Sequence, residues 1–378
     1  MAVIAVEGPV ADVRAGGPDF RIEFIHDWDE AAAGLDAALA QCRATPFQNR
    51  HWLGAWYRFF TSDGSATPLV AVVRDARKRD VVAILPLCVR TRWGLRVAEF
   101  AGSADYNAPL LGPARLGGPT ETAEWWRHLC RELARLPGGC DLVRFRKMPA
   151  ELAGWVNPLA SVAGVKRSAM TGHIVQIGDD YDAYRYSLEK TVRKELERSW
   201  RVFTRHRGAE FKQIRGRDDA LDVFAVLEAQ QSARMHDLGQ SYDLDDEDIT
   251  AFHRELIARG LDEGYVVLTA LTCGEEVVAS LLGIRSGPHY VMVRISNAGK
   301  SWSNCSPGRL VIERTMALLH ADGVRTFDFS VGSYDYKRRF GVSDVPLFDL
   351  TAALSWRGRL VIVRDKLMQW VRHFSRRT

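Results

Sequence analysis

The run GSYDYKRRFG, from Gly332 to Gly341, gathers Tyr334, Tyr336, Lys337, Arg338 and Arg339 directly after a segment that alternates like a strand. Phenols can donate protons and an ammonium can neutralise a phosphate or carboxylate, although a solvated basic turn has the same composition. Just upstream, Asp328 falls on the polar side of TFDFSV, where aspartate is disfavoured and needs a specific reason. It is either a base or acceptor-binding carboxylate, or the structural partner of Arg294 or another arginine. A third feature is SPGRL, spanning Ser306, Pro307, Gly308, Arg309 and Leu310. A cation in the first turn opposes the helix dipole by roughly 0.3–1 kcal/mol. Arg309 therefore either reaches into solvent or faces an anionic ligand. Cys305 lies beside this turn without a histidine or asparagine pattern to mark it as a nucleophile, so packing is its expected role.

Those residues need elements to hold them. Ser306 is suited to cap a helix and Pro307 to its first position, while Gly308 leaves backbone amides uncovered, so a helix is expected from there to about Asp322. HYVMVRIS before it and VRTFDFSV after it read as strands. Strand, helix and strand make a right-handed βαβ unit, with the helix N-terminus at the carboxyl end of the first strand, where an anion suits free amides.

The 378-residue length suggests two domains, since single cores stop growing near ~250–300 residues. Composition is that of a globular protein, and a net charge of +4 does not call for a nucleic-acid partner. The six cysteines show no metal-ligand spacing, which predicts no metal and a reduced, cytoplasmic setting. No apolar run approaches the ~20 residues that span a bilayer. The P-loop, GxGxxG, HExxH and GxSxG signatures are all missing, which argues against nucleotide hydrolases, dinucleotide oxidoreductases, zinc proteases and α/β-hydrolases.

The element order β-α-α-β-β-β-α-β is expected twice, so the fold class is α/β, with two tandem units packed with a cleft between or beside them. The expected parts are a loose tail over 1–19, a first domain over 20–148, a linker over 149–170, a second domain with the donor site over 171–356, and a C-terminal helix over 357–378. YDAYRYSLEKTVRKELERSWRVFTRHR reads as one long basic helix with a solvated face. In the C-terminal helix Leu360, Val363, Leu367, Trp370, Val371 and Phe374 recur at helical spacing among seven cations. The expectation is that this face packs on the second unit, with peripheral contact to an anionic membrane as the alternative.

The fragments FQNRHWLGAW, DYNAPLLGP, SPGRL, FDFSVG and YDYKRRFG, together with the element order, resemble the GNAT-type acyltransferases of the CelD-like subgroup associated with polysaccharide biosynthesis. The run from Tyr334 to Gly341 also resembles the YKFKxxFG-like run of Fem-type aminoacyl transferases, which are similar in fold. This resemblance implies two GNAT-like halves and N-acyl transfer from acetyl-CoA or another acyl-CoA, as co-substrate, to a small-molecule or sugar-amine acceptor. Such transfer needs a base, oxyanion donors and an acid for the leaving thiolate. Tyr334, Tyr336, Lys337 and Asp328 are the catalytic candidates, Ser306 to Leu310 the cofactor-binding ones, and Tyr106, Asn107, Trp52 and His236 those for substrate. The usual Q/R-x-x-G-x-G/A loop is matched here only by its last glycine, Gly308, which keeps two alternatives open: a Fem-like donor, aminoacyl-tRNA, or a non-catalytic binding protein of a biosynthetic complex.

Overall fold

The computed structural model describes residues 20–114, 118–239 and 246–375, with the side chains of Lys300, Lys366 and the residues after Leu367 left aside. The tail over 1–19 and the apolar positions Trp370, Val371 and Phe374 therefore lie outside what is described. The first unit comprises β1 (Phe20–Ile25), α1 (Trp28–Gly34), α2 (Asp36–Leu39), α3 (Arg50–Phe60), β2 (Ala66–Asp75), β3 (Val81–Arg92), β4 (Leu95–Phe100), β5 (Leu110–Leu111), α4 (Pro119–Arg135) and β6 (Leu142–Pro149). A short hairpin, β7 (Glu151–Leu152) and β8 (Trp155–Val156), leads to β9 (Lys166–Gln176), α5 (Tyr181–Ser187) and α6 (Lys190–Phe203). The second unit comprises β10 (Ala209–Ile214), α7 (Arg217–Asp237), α8 (Glu247–Gly260), β11 (Val266–Cys273), β12 (Glu276–Ser286), β13 (His289–Asn297), α9 (Pro307–Ala321) and β14 (Thr326–Val331). After it come α10 (Asp335–Arg338), β15 (Ser343–Ala353) and α11 (Trp356–Ser375).

Sheet order makes the doubling visible. The strands run β1-β2-β3-β4-β6-β15-β9-β14-β13-β12-β11-β10, so the two ends mirror each other. Among the described residues the only parallel pair in each unit is the one bridged by a helix: β4 with β6, and β13 with β14. The centre is an exchange. β9, which follows the first unit, pairs antiparallel with β14 of the second, while β15, which follows the second, returns to pair with β6 of the first. β9 and β15 then pair with each other, so the two units share one sheet. An apolar core containing Trp52 and Trp56 from α3, Phe252 from α8 and Leu347 from β15 runs across the junction.

Three local expectations are corrected. The long basic helix is two helices, α5 and α6, because Leu188 adopts an extended backbone and buries its side chain in the second unit's core. The faces of α6 divide as expected, with Lys194, Arg198 and Arg201 exposed. Ser306 does not cap α9 through its side chain. It sits in the left-handed region at φ 47, where a 3₁₀ turn runs straight into α9, and its carbonyl accepts from both Arg309 and Leu310. The C-terminal helix α11 does not lay its apolar face on the second unit. It docks on the first through Gly358, which approaches the Asp141 carbonyl so closely that a Cβ there would lie 2.1 Å from its oxygen. Leu360, Val363 and Leu367 are left exposed.

Candidate active site between the two units

β13 and β14 part as they run. They pair only from His289 with Thr326 to Val291 with Asp328, after which β13 continues to Asn297 without β14 beside it. A bulge at Val293, skipped between the pairs Gly283–Met292 and Leu282–Arg294, bends β13 at the point of divergence. β14 bends away too: Ser330 adopts φ 61, and its register with β9 shifts between Asp328 and Val331. The result is a wedge that opens toward the start of α9, where Asn297 lies beside Gly308.

Asp328 is the last β14 residue paired with β13, so it stands at the apex of that wedge. It is buried, as the polar face of β14 lies under the first unit. Tyr106 Oη donates to it at 2.8 Å, the Ser330 amide donates at 2.6 Å, and His289 Nε2 lies 3.3 Å from its other oxygen. Its partners are thus a phenol from the other unit, an imidazole and an amide; Arg294 is not among them. Arg294 instead pairs with Glu228 and Gln231 of α7, under the bulge. Burial, then the charge of Asp328, pushes the Tyr106 phenol well above its ordinary range, so it stays a donor. Ser330 donates its hydroxyl to Asp105, next to Tyr106, giving a second bond between the units.

A cavity of about 1320 Å³ opens against this cluster, walled by Tyr106, Asp328, His289, His51, Glu263 and Asp344 among others. It lies between the units: His51 and Arg50 at the start of α3 contact Glu263 of the second unit at 3.0 and 2.7 Å. His289, Asp105, Ser330 and the His51–Glu263 pair were not singled out from sequence. Each is an ordinary residue in its own segment and becomes informative only beside its partner.

The remaining candidates divide by position. Lys337 is buried, and its ammonium donates to the carbonyls of Ser330, Val331 and Gly332 at 3.3, 2.8 and 2.8 Å, so it holds the turn that leaves β14. Burial lowers its pKa to about 8, outweighing the opposing pull of Asp328 and Asp105. Tyr334 is exposed and stacks on Tyr336 at 6.0 Å. The Tyr336 phenol is pushed up to about 12 by burial and then by Tyr334. Arg309 donates to Glu195 of α6 at 2.7 Å and Arg339 donates to the same oxygen at 2.8 Å, leaving one positive charge in excess beside α9. Asn107 ties its loop to the Arg146 carbonyl, and its buried Oδ1 has no partner among the described residues. Trp52 is a core residue that donates to the Gly102 carbonyl, and His236 is exposed at the end of α7. Cys305 is buried, and burial raises its thiol. Among the described residues no three histidine, cysteine or acidic side chains gather for a metal.

Residues 190–338 match the acetyltransferase (GNAT) domain. This stretch starts at α6 and ends at α10, so it takes in the wedge, α9 and Lys337, and it supports a transferase. No curated protein matches the chain. Among solved structures, FemX superposes with TM-score 0.60 at 12% identity, covering 86% of this chain and 96% of its own. A conserved protein of unknown function from Bacteroides thetaiotaomicron gives 0.54 at 12% identity, covering 89% and 100%. The C-terminal domain of a putative lysylphosphatidylglycerol synthetase from Agrobacterium fabrum gives 0.51 at 10%, covering 90% and 96%. At these identities the likeness is one of fold. The fold is GNAT/Fem-like across both units.

Proposed function

We propose that the protein is an acyltransferase that moves an acyl group from an activated donor to an amine, with acyl-CoA the first candidate donor. The observation that carries this reading is the position of Asp328. It stands both where β13 and β14 diverge and in the wall of the inter-unit cavity, so a donor in the wedge and an acceptor in the cavity would meet at its carboxylate. The amine nitrogen attacks the thioester carbonyl carbon, the carbon–sulfur bond breaks, and an amide and a thiol result. Asp328 takes the proton of the incoming ammonium, oriented by Tyr106 and His289. Tyr336, kept protonated by its raised pKa and with Tyr334 stacked on it, supplies a proton to the departing sulfur and is restored by the second proton the nitrogen loses as the amide forms. Lys337 acts as a positioning residue through the turn it closes. The start of α9, from Ser306 to Leu310, with the surplus charge of Arg309 and Arg339, suits the anionic end of the donor.

The finer reading is an N-acetyl or longer N-acyl transfer to a sugar amine in polysaccharide or cell-envelope metabolism, as in the CelD-like subgroup, in the cytoplasm. Tyr106, in the cavity wall, would then border the acceptor, whereas Asn107, Trp52 and His236 do not line that cavity. A Fem-like aminoacyl-tRNA donor is the second reading, favoured by the superposition on FemX. Calorimetry with acetyl-CoA and longer acyl-CoAs, beside a gel shift with charged tRNA, separates the two. Asp328→Asn is expected to keep donor binding and lower kcat by about 10²–10⁴, the usual contribution of a general base. If neither donor binds, the acyltransferase reading is overturned. If a donor binds but no thiol or free tRNA is released with any amine, the protein is a binding protein instead.

A further inference from the structure

The last helix carries an apolar stripe that nothing among the described residues covers. Trp356, Leu360, Val363 and Leu367 follow i, i+4, i+7 and i+11 spacing, which puts them on one side of α11. They are 71, 61, 55 and 59% exposed. The opposite side, with Gly358, Val361, Ile362 and Asp365, is the one turned toward the first unit. At the tip of the hairpin joining β3 to β4, Trp93 is 85% exposed and belongs to the same surface: the Arg364 guanidinium lies 5.7 Å from its ring and Arg357 donates to the neighbouring Gly94 carbonyl at 2.6 Å. Singly exposed apolar residues are ordinary, but a contiguous set of this size marks an interaction surface.

Charge selects the occupant. Arg92, Arg357, Arg359 and Arg364 border the stripe; Glu99, Asp141 and Asp365 pair with Arg92, Arg357 and Arg364, and the cations remain in excess. A second copy related by a two-fold axis would bring these arginines against their own equivalents. An anionic bilayer meets both demands at once. Its phosphates take the guanidinium groups, the leucine and valine side chains enter the headgroup boundary, and the two tryptophans sit at the depth that indole rings prefer. We propose that α11 and the Trp93 hairpin form a docking face for a membrane surface containing anionic phospholipid, with the helix lying in the plane of the interface. No helix among the described residues is long and apolar enough to cross a membrane, so this contact is peripheral. The inference stands apart from the catalytic reading, because it uses none of the same residues.

Co-sedimentation of the full chain with vesicles of phosphatidylcholine, alone or mixed with phosphatidylglycerol, tests it. Binding is expected only to the mixed vesicles at low ionic strength, with release by salt. Arg359→Gln and Arg364→Gln should each weaken partitioning about fivefold, the usual effect of one cation at an anionic surface. The double change Leu360→Glu with Val363→Glu should abolish binding without altering circular dichroism, since both side chains are exposed. Wild-type protein that stays in the supernatant overturns the proposal, as does equal binding to neutral vesicles or an unaffected double variant. A dimer in sedimentation velocity that Leu360→Glu dissolves, with no vesicle binding, assigns the face to a second copy and also overturns it.

Discussion

A lysine is the buried group whose protonation carries the clearest consequence at this site. Lys337 has its ordinary pKa of 10.5 in the unfolded chain and releases its proton near 8 once folded. Between those values the unfolded state binds the extra proton, so stability rises as pH increases through that window, while below 8 the penalty of the buried charge is fully present. The whole effect is on the order of 3 kcal/mol. Urea midpoints measured at pH 8 and pH 10 should therefore increase more for the wild type than for Lys337→Met, which has no proton to lose. Equal slopes would mean that the ammonium is not destabilised by burial. Tyr106→Phe tests the neighbouring bond. It leaves the Asp328 carboxylate with one donor fewer, and a loss of about 1.5–3 kcal/mol is expected from a buried hydrogen bond to a charged acceptor.

The elements position that bond by close approach. Gly172 of β9 pairs with Val331 just beyond the irregular stretch of β14, and a Cβ on it would come within 2.3 Å of Tyr106 Oη. A side chain there must displace either the tyrosine or the strand. Gly172→Ala is expected to cost about 1–3 kcal/mol through overpacking, and to lower kcat by moving Tyr106 off Asp328. Denaturation together with steady-state kinetics checks both parts. An alanine variant with unchanged stability and kcat would show that the approach is not needed.

At the scale of the molecule, the exchange of β9 and β15 decides how the two units behave. Each depends on a strand supplied from beyond its own chain segment, and their shared core places Trp52 edge-on to Phe252 at 5.0 Å. Tyr265 donates across the junction to the buried Pro46 carbonyl at 2.9 Å. Local cores with separate stability would unfold in steps, whereas a core common to both should unfold once. Urea titrations followed by tryptophan fluorescence and by far-ultraviolet circular dichroism are expected to coincide. Two resolved transitions would show that the units are energetically independent.

Local pattern was enough to determine the elements around the site and their order. Alternation in TFDFSV, the SPG helix start and the polar turns between strands all depend on neighbouring residues, so the β13-α9-β14 unit and its duplication were legible in the chain. Long-range contacts decided the rest. Asp328 meets Tyr106 from a residue 222 positions earlier in the chain, a pairing to which no local periodicity points. Arg309 faces Glu195, rather than lying free, because α6 packs beside α9. The helical spacing of Leu360, Val363 and Leu367 was equally plain in the sequence, but spacing only shows that an apolar face exists. Which side of α11 is buried was settled by Gly358, whose missing side chain lets the helix meet the Asp141 carbonyl and turns the apolar stripe outward.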